Sequence, residues 1–159
     1  MNAINPDAKI MKYTDLYDYD SIEELFKDCD KIILLFLTIS KRAGHWTCLY
    51  KQPNSTTINY YDSYGVMPDY ELQAISKKRR AELNESYDYL RHLLMGHNVN
   101  VNRIQFQNDK SASCGCFVSH RLFYSHLSPE QYLKLFFDSK ATPDVYVAKW
   151  CFTKLNKIM

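Results

Sequence analysis

The chain has 159 residues, of which 46% are hydrophobic and 14% aromatic, and its formal net charge is +2. This length is typical of a single domain spanning residues 1–159, and the composition excludes an intrinsically disordered chain. The longest apolar run, Ile32–Leu37, is too short to cross a bilayer, so we expect no membrane contact, and we recognise no secretory signal. The five cysteines are odd in number and lack paired spacing, which favours a reducing compartment over a disulfide scaffold.

The N-terminal part of the chain is predicted to hold a short helix and then a buried strand. Ser21 and Glu24 have the spacing of a capping box, and the helix that they begin is predicted to end near Cys29. The run Lys31–Ser40 is rich in β-branched residues and has the length of a strand. Periodicity alone does not distinguish a buried strand from a buried helical segment, but the composition favours the strand.

Two short runs of β-forming residues come next and predict a hairpin. The turn sequence Q-P-N-S separates them, and the two runs are Trp46–Lys51 and Thr57–Asp62. A four-residue loop pairs Lys51 with Thr56, and counting outward from that pair places His45 opposite Asp62. Directly opposed residues on one face have Cβ atoms roughly 5 Å apart. The hairpin is therefore expected to bring this histidine and this aspartate together.

The C-terminal part is predicted to contain helices and one strand. Apolar spacing across residues 69–94 is typical of an amphipathic helix, whole or broken, that stops at Gly96. Imperfect alternation across 99–106 predicts a strand with a bulge at Asn102 and Arg103. The remaining predicted elements are a helix from Cys114 to His126, a helix that begins after Ser128 and buries Tyr132, Leu133, Phe136 and Phe137, and a strand or helix over Asp144–Phe152.

Four residues have the types needed for catalysis by a thiol: a nucleophile, a base, a carboxylate that orients the base, and an oxyanion donor. Cys114 lies at a predicted loop-to-helix junction, where the helix N-terminus would stabilise its thiolate. His45 and Asp62 are the candidate base and acid. The amide of Gln107, seven residues before the cysteine, is a candidate oxyanion donor beside the Cys114 N–H. Gly115 would let a substrate carbonyl approach the backbone.

Each of these residues also has a plainer interpretation. Cys114 and Cys116 could be two buried thiols, and since no further cysteines have zinc spacing we expect no metal site. The histidine could be an ordinary sheet-edge residue, Asp62 a turn residue and Gln107 a solvated amide. Catalysis is favoured by the combination of the order His, acid, Gln, Cys with the predicted hairpin register.

Three segments resemble the His, acid, Gln and Cys blocks of the adenovirus maturation proteases and of the SUMO-specific proteases that share their fold. The segments are G-H-W-T-C-L-Y, I-N-Y-Y-D-S-Y-G and Q-N-D-K-S-A-S-C-G-C-F. The spacing from His45 to Asp62 and that from Gln107 to Cys114 are similar to the adenovirus pattern, and the likeness covers about residues 31–121. The chain departs from that pattern in two places. Asp62 stands where adenovirus enzymes use glutamate, which matches the SUMO proteases, and the usual proline after the glutamine is missing.

The resemblance implies an α+β fold of the permuted papain-like type, with a central, mostly antiparallel sheet flanked by helices and a catalytic core at about residues 31–138. It also implies Cys-His-Asp thioester catalysis with Gln107 as an oxyanion donor, and Trp46 is expected to pack beside His45. In its small size, and in the fit of the resemblance along the full chain, the protein most resembles a virophage capsid-maturation protease of the Mavirus kind.

The same resemblance implies the biological setting. The expected substrates are viral capsid precursor proteins, cut at glycine-rich sites in the host cytoplasm and in the virion. No cofactor is required by the sequence, although a peptide or DNA activator is implied by the family. We expect the protein to be a monomer.

A basic run has two interpretations. Lys77, Lys78, Arg79 and Arg80 form either a solvated helix face or a weak contact with DNA. Three other functions also stay open from the sequence. They are a deubiquitinase or SUMO-type isopeptidase, a thioester acyltransferase using the same residues, and a nucleic-acid-binding module in which the Cys-His-Asp combination is a coincidence.

Overall fold

The structure is a computed structural model, and it describes residues 1, 3–40, 43–85 and 88–158. The elements in chain order are strand β1 (Lys9–Lys12), a 3-10 helix (Tyr13–Asp18), helix α1 (Ile22–Leu25), strands β2 (Lys31–Ser40), β3 (Ala43–Lys51) and β4 (Ile58–Tyr61), a second 3-10 helix (Tyr70–Ala74), helices α2 (Lys77–Glu82) and α3 (Tyr89–Leu93), strand β5 (Val99–Val101), and helices α4 (Cys114–Phe123), α5 (Pro129–Phe137) and α6 (Pro143–Ile158).

Five strands form one sheet in the order β1-β2-β3-β4-β5. The three central strands are antiparallel neighbours, and the two edge strands run parallel to the strands beside them. Hydrophobic clusters cover both faces of this sheet. One cluster joins the sheet to α1, α3 and the first 3-10 helix, and the other joins it to α4, α5 and α6. The predicted α+β class with a sheet flanked by helices is therefore confirmed.

Strand β2 occupies the predicted range and is buried on both faces. Ile32, Leu34 and Phe36 belong to one hydrophobic cluster, and Ile33 belongs to the cluster on the opposite face. A strand that packs on both sides needs apolar residues at consecutive positions. This explains the continuous apolar run that marked the segment in the sequence.

The β3–β4 hairpin forms, but its register differs by two residues from the predicted one. Lys51 pairs with Ile58 and not with Thr56, because the connection is six residues long, 52–57. Continued outward, this register places Thr47 opposite Asp62, so the predicted direct pairing of His45 with Asp62 is wrong. A shift of two residues leaves every side chain on its original face, and His45 stays a diagonal neighbour of Asp62.

Other predicted elements are shorter than expected. The cap at Ser21 is confirmed, because its hydroxyl accepts the Glu24 N–H at 3.2 Å, but the helix ends at Leu25. The strand predicted over 99–106 ends at Val101. The helix predicted over 69–94 is broken into the second 3-10 helix, α2 and α3. Residues 86 and 87 of that prediction lie outside the described part of the chain.

The three C-terminal helices pack on the face of the sheet that carries Cys48, Tyr50 and Tyr61. The capping box at Ser128 is confirmed, and Tyr132 and Phe136 are buried as predicted. Phe137 is 75% exposed, so its predicted burial is wrong: one residue past Phe136, it is rotated about 100° away from the buried stripe. The segment Asp144–Phe152, for which the sequence allowed either a strand or a helix, belongs to helix α6. Among the described residues, none of the helices has the length and apolar character needed to cross a membrane.

Candidate active site

A histidine from β3 contacts an aspartate just beyond β4. Nε2 of His45 lies 2.8 Å from Oδ2 of Asp62, whose side chain is completely buried. The Tyr64 N–H donates to Oδ1 of the same carboxylate at 2.6 Å, and the Tyr64 ring stacks on the imidazole with centroids 4.9 Å apart. Nδ2 of Asn102 donates to the Asp62 carbonyl at 2.7 Å. These contacts hold the imidazole with Nε2 toward the carboxylate and leave Nδ1 for another partner.

That partner is the thiol of Cys114, the first residue of α4. Burial raises the pKa of the Cys114 thiol, but a hydrogen bond to His45, backbone N–H groups of Trp46 and Gly115, and the charge of the imidazole lower the pKa more strongly. The net shift of the pKa is downward. The three predicted residues Cys114, His45 and Asp62 are therefore brought together in one chain of contacts, with the imidazole between thiol and carboxylate.

The first turn of α4 also supplies hydrogen-bond donors. The Ser113 carbonyl accepts the N–H groups of Cys116 and Phe117. The N–H groups of Cys114 and Gly115 precede these in the helix and have no acceptor within it. Backbone donors in this position can bind an anion or a developing oxyanion next to the thiol.

Gln107 is buried beside the same site, with its amide held in one orientation. The Ser63 hydroxyl donates to Oε1 of Gln107 at 2.6 Å, which fixes Nε2 as the donor. Nε2 donates to the Ser111 carbonyl at 2.9 Å and to the Tyr64 hydroxyl at 3.2 Å. The second bond is the weaker one, so a substrate oxygen could replace the tyrosine hydroxyl at that hydrogen.

An aspartate from α6 holds the loop between Gln107 and Cys114. Oδ1 of Asp144 accepts the hydroxyls of Ser111 and Ser113, the latter at 2.6 Å, and Oδ2 accepts the Asn108 N–H at 3.0 Å. The sequence provided no signal for this role, because Asp144 lies 31 residues from Ser113 along the chain. It is the start of α6, packed against α4, that brings the carboxylate to the loop.

The turn after Asp62 touches the segment that leads to Gln107. The Ser63 carbonyl accepts the N–H groups of Phe106 and Gln107 at 2.9 and 3.0 Å. Gly65 has a φ of +72°, and a Cβ built on it would lie 2.7 Å from the carbonyl carbon of Ile104. The turn that follows Asp62 therefore packs against the backbone that leads to Gln107. At this distance only glycine fits at position 65.

Gly65→Ala is expected to destabilise the protein by about 2–5 kcal/mol, from a left-handed backbone penalty of about 1–2 kcal/mol and a backbone displacement of about 1–3 kcal/mol. For a chain of this size that corresponds to a fall in Tm of ~5–15 °C. Gly96→Ala is the matched control, since Gly96 also has a positive φ, +82°, but a Cβ there meets nothing within 4 Å. Calorimetry on both variants measures the difference, and equal Tm values would contradict the close approach at Gly65.

A second buried carboxyl, Glu71, was not foreseen from the sequence. It lies in the 3-10 helix Tyr70–Ala74, is 8% exposed, and places Oε1 3.9 Å from Nε2 of His45. His45, Asp62 and Glu71 offer ligand atoms that all lie within 4.8 Å of one another, an arrangement that could hold a metal ion. Glutamate in a predicted amphipathic helix usually faces solvent, so no local pattern marked this residue.

His45, Glu71, Gln107 and Cys114 line a cavity of about 940 Å³. Its other walls include Trp46, Tyr64, Gly115 and, toward α6, the thiols of Cys116 and Cys151. All five cysteines of the chain are free, and the thiols of Cys116 and Cys151 are hydrogen-bonded to each other, which lowers the pKa of Cys116 to about 7 although burial opposes the shift.

Two residues predicted for the site, Trp46 and Gly115, line this cavity. A Cβ built on Gly115 would lie 3.7 Å from Cδ1 of Trp46, so the glycine and the indole are close neighbours in its wall. The ring that stacks on His45 is that of Tyr64.

The predicted basic run lies outside this cavity, in α2. Lys77 and Lys78 are exposed. Arg79 forms an ion pair with Glu82 at 3.1 Å, and Nε of Arg80 donates to the Glu85 carbonyl. Two of the four cations are therefore engaged within the protein, which leaves a smaller cationic surface than the sequence indicated.

Comparisons with known proteins give a relative in sequence and a partial likeness in structure. The chain is 31% identical over 155 residues to "Uncharacterized protein V9" of Sputnik virophage, which covers 92% of this chain and 87% of that protein. A structure of the SUMO protease Ulp1, with its catalytic cysteine oxidized to a sulfinic acid, matches with 16% identity and a TM-score of 0.41, over 85% of this chain and 68% of that one. No protein-family model matches the chain.

The expected likeness to a Mavirus enzyme stays a prediction. The sequence relationship, by contrast, extends over nearly the whole of both chains. The chain belongs to the same protein family as V9 of Sputnik virophage.

Proposed function

We propose that this protein is a cysteine endopeptidase with Cys114 as nucleophile, His45 as base, Asp62 as the residue that orients the base, and Gln107 as an oxyanion donor. One observation carries the proposal: a buried imidazole lies between the carboxylate of Asp62, 2.8 Å away, and a thiol of lowered pKa at the start of a helix. These are the parts that thiol catalysis requires, in contact with one another and open to a cavity that can hold a peptide.

The proposed reaction follows from the positions of the atoms. Nδ1 of His45 takes the proton of Cys114, and the thiolate attacks a peptide carbonyl. The oxyanion is bound by the Cys114 N–H and by Nε2 of Gln107. The imidazolium then gives its proton to the leaving amine, and water hydrolyses the thioester. Asp62 accepts from Nε2 throughout, which keeps Nδ1 free to take and return the proton.

The proposed substrates are capsid precursor proteins of the virus. The virophage relative supports a viral protein, and a small processing enzyme acting on precursors in the host cytoplasm and in the assembling particle is consistent with it. Cleavage at glycine-rich sites is proposed because two aromatic side chains, Trp46 and Tyr64, line the cavity that contains the thiol and would crowd a branched side chain of the substrate. A weak contact between exposed Lys77 and Lys78 and DNA, and activation by a peptide or by DNA, stay predictions.

Thiol alkylation tests the activated cysteine without any substrate. With iodoacetamide between pH 6 and 9, Cys114 is expected to react with a midpoint below the ordinary cysteine value of about 8.5, because its pKa is lowered. His45→Ala removes the hydrogen bond and the charge that lower this pKa, and should slow Cys114 alkylation at pH 7 by about fivefold or more. Mass spectrometry of each peptide measures the rates.

Cys116 is the internal control for this experiment. Its pKa is lowered by Cys151 and not by His45, so its alkylation rate should be the same in the wild type and in His45→Ala. An unchanged rate for Cys114 in the variant would show that the imidazole does not activate the thiol.

A further inference from the structure

The carboxyl of Glu71 lies in the interior beside the His45–Asp62 pair, and in the described part of the chain its only ionic partner is the imidazole. Oε1 and Oε2 are both buried, and among the described residues neither has a hydrogen-bond donor of good geometry from another residue. Oε1 lies 3.9 Å from Nε2 of His45, a distance too long for a hydrogen bond. A buried carboxylate without donors is unfavourable, so the ionisation state of this group needs an explanation.

The neighbouring Asp62 provides it. The ligand oxygens of Asp62 and Glu71 lie within 4.8 Å of each other, and two buried carboxyls this close do not both ionise. Asp62 accepts the Tyr64 N–H and the His45 ring N–H, which favour its charged form. Glu71 accepts neither, so the shared proton belongs on Glu71.

The acid–base properties of the pair agree with this assignment. Burial raises the pKa of Glu71, and the hydrogen bond and charge of Asp62 raise it further, to about 9, against smaller opposing effects of His45 and of Glu71's own backbone N–H. Burial also raises the pKa of Asp62, and the net shift is upward, although hydrogen bonds from Glu71 and from the Tyr64 N–H oppose it. Near neutral pH the pair therefore carries one proton and one negative charge.

We propose that Glu71 is a positioning residue of the active site: as a neutral carboxylic acid it donates its O–H to the Asp62 carboxylate and holds that carboxylate against His45. The proposal rests on the proposed function for its catalytic consequence, but not for the location of the proton. Protonated Glu71 fixes Asp62 without adding a second negative charge beside the imidazole.

Loss of this proton would change the site in two ways. The two carboxylates would repel each other and displace Asp62, and a doubly negative environment would hold the imidazolium proton that the leaving amine needs. The titratable groups that face Glu71 are Asp62, His45, Asp69 and Tyr60, and of these only the histidine can carry a positive charge. Activity is therefore expected to fall as the pH rises through about 9.

Carbon-13 NMR of the side-chain carboxyls tests the proton directly and needs no substrate. A carboxyl resonance that titrates near pH 9 in the wild type and is absent in Glu71→Gln is the expected result. A Glu71 resonance that titrates below about pH 6 would overturn the proposal. Calorimetric titration with zinc chloride tests the metal alternative, and stoichiometric zinc binding that is lost in Glu71→Gln would also overturn it.

Peptide cleavage separates a positioning role from simple space filling. Glu71→Gln keeps a donor for Asp62 and should retain kcat within about threefold at pH 7, while Glu71→Met fills similar space without a donor and should lose tenfold or more. Glu71→Gln should also keep its rate at pH 9.5, where the wild type declines. Equal losses in both variants, or the same alkaline decline in Glu71→Gln, would contradict the positioning role. Since the NMR experiment is independent of cleavage, a missing protease activity and a wrongly placed proton give different results.

Discussion

Cys114→Ala is expected to reduce peptide cleavage to less than about one-thousandth of the wild-type rate, because it removes the nucleophile that forms the thioester. Co-expression of the variant with a capsid precursor, followed by gel analysis of the products, measures the effect in the proposed setting. The thiol contributes little to the core beyond its own volume, so the variant should fold normally. Unchanged cleavage would exclude Cys114 as the nucleophile and with it the proposed mechanism.

The same cavity contains matched controls for the loss of a thiol. Cys116 and Cys151 also line it, but their thiols are hydrogen-bonded to each other. Neither has a contact with His45 among those that the structure describes. Cys116→Ala and Cys151→Ala are expected to keep cleavage within a few-fold of wild type. If Cys116→Ala were as inactive as Cys114→Ala, the nucleophile would be assigned to the wrong cysteine.

Asp62→Asn is expected to lower kcat by about 10³–10⁴-fold while leaving the fold intact. The amide presents an N–H to Nε2 of His45 where the carboxylate accepted one. The imidazole would then carry its proton on Nδ1, the nitrogen that has to take the proton of Cys114. Steady-state kinetics on a peptide substrate measure kcat, and the alkylation rate of Cys114 should fall in parallel.

Asp69→Asn is the matched control for this change. Asp69 is also a buried aspartate near the site, but its Oδ2 accepts the Arg91 N–H at 2.8 Å and does not contact His45. Its replacement keeps an oxygen acceptor and should preserve kcat. If the two variants lost activity equally, the effect of Asp62→Asn would come from general disturbance of the buried acids and not from the tautomer of His45.

Features set by local sequence were predicted well. The cap at Ser21, the capping box at Ser128 and the doubly buried strand over residues 31–40 each depend on neighbours a few positions away. Misjudged features depend on contacts between distant segments. The strand predicted through Phe106 ends at Val101, because the side chain of Asn102 bonds to the Asp62 carbonyl and to the backbone of Ile104 and so turns the chain away from the sheet.

Which residues meet at the site follows from the order of the chain and from the alternation of its strands. Side-chain alternation put His45 and Asp62 on one face, and a register error of two residues did not separate them, because alternation has a period of two. The residue types and the order of His45, Asp62, Gln107 and Cys114 then indicated the chemistry.

How these residues are held and charged depends on contacts between segments that are distant in the chain. Asp144 reaches the nucleophile loop, and Glu71 reaches Asp62, through packing of segments that are remote or irregular in the sequence. Whether a carboxyl is ionised depends on its burial and on the donors and charges around it, and these exist only once the chain has folded. From the sequence, Glu71 would be expected at the surface. In the folded protein it is buried, and we propose that it is the protonated neighbour of Asp62.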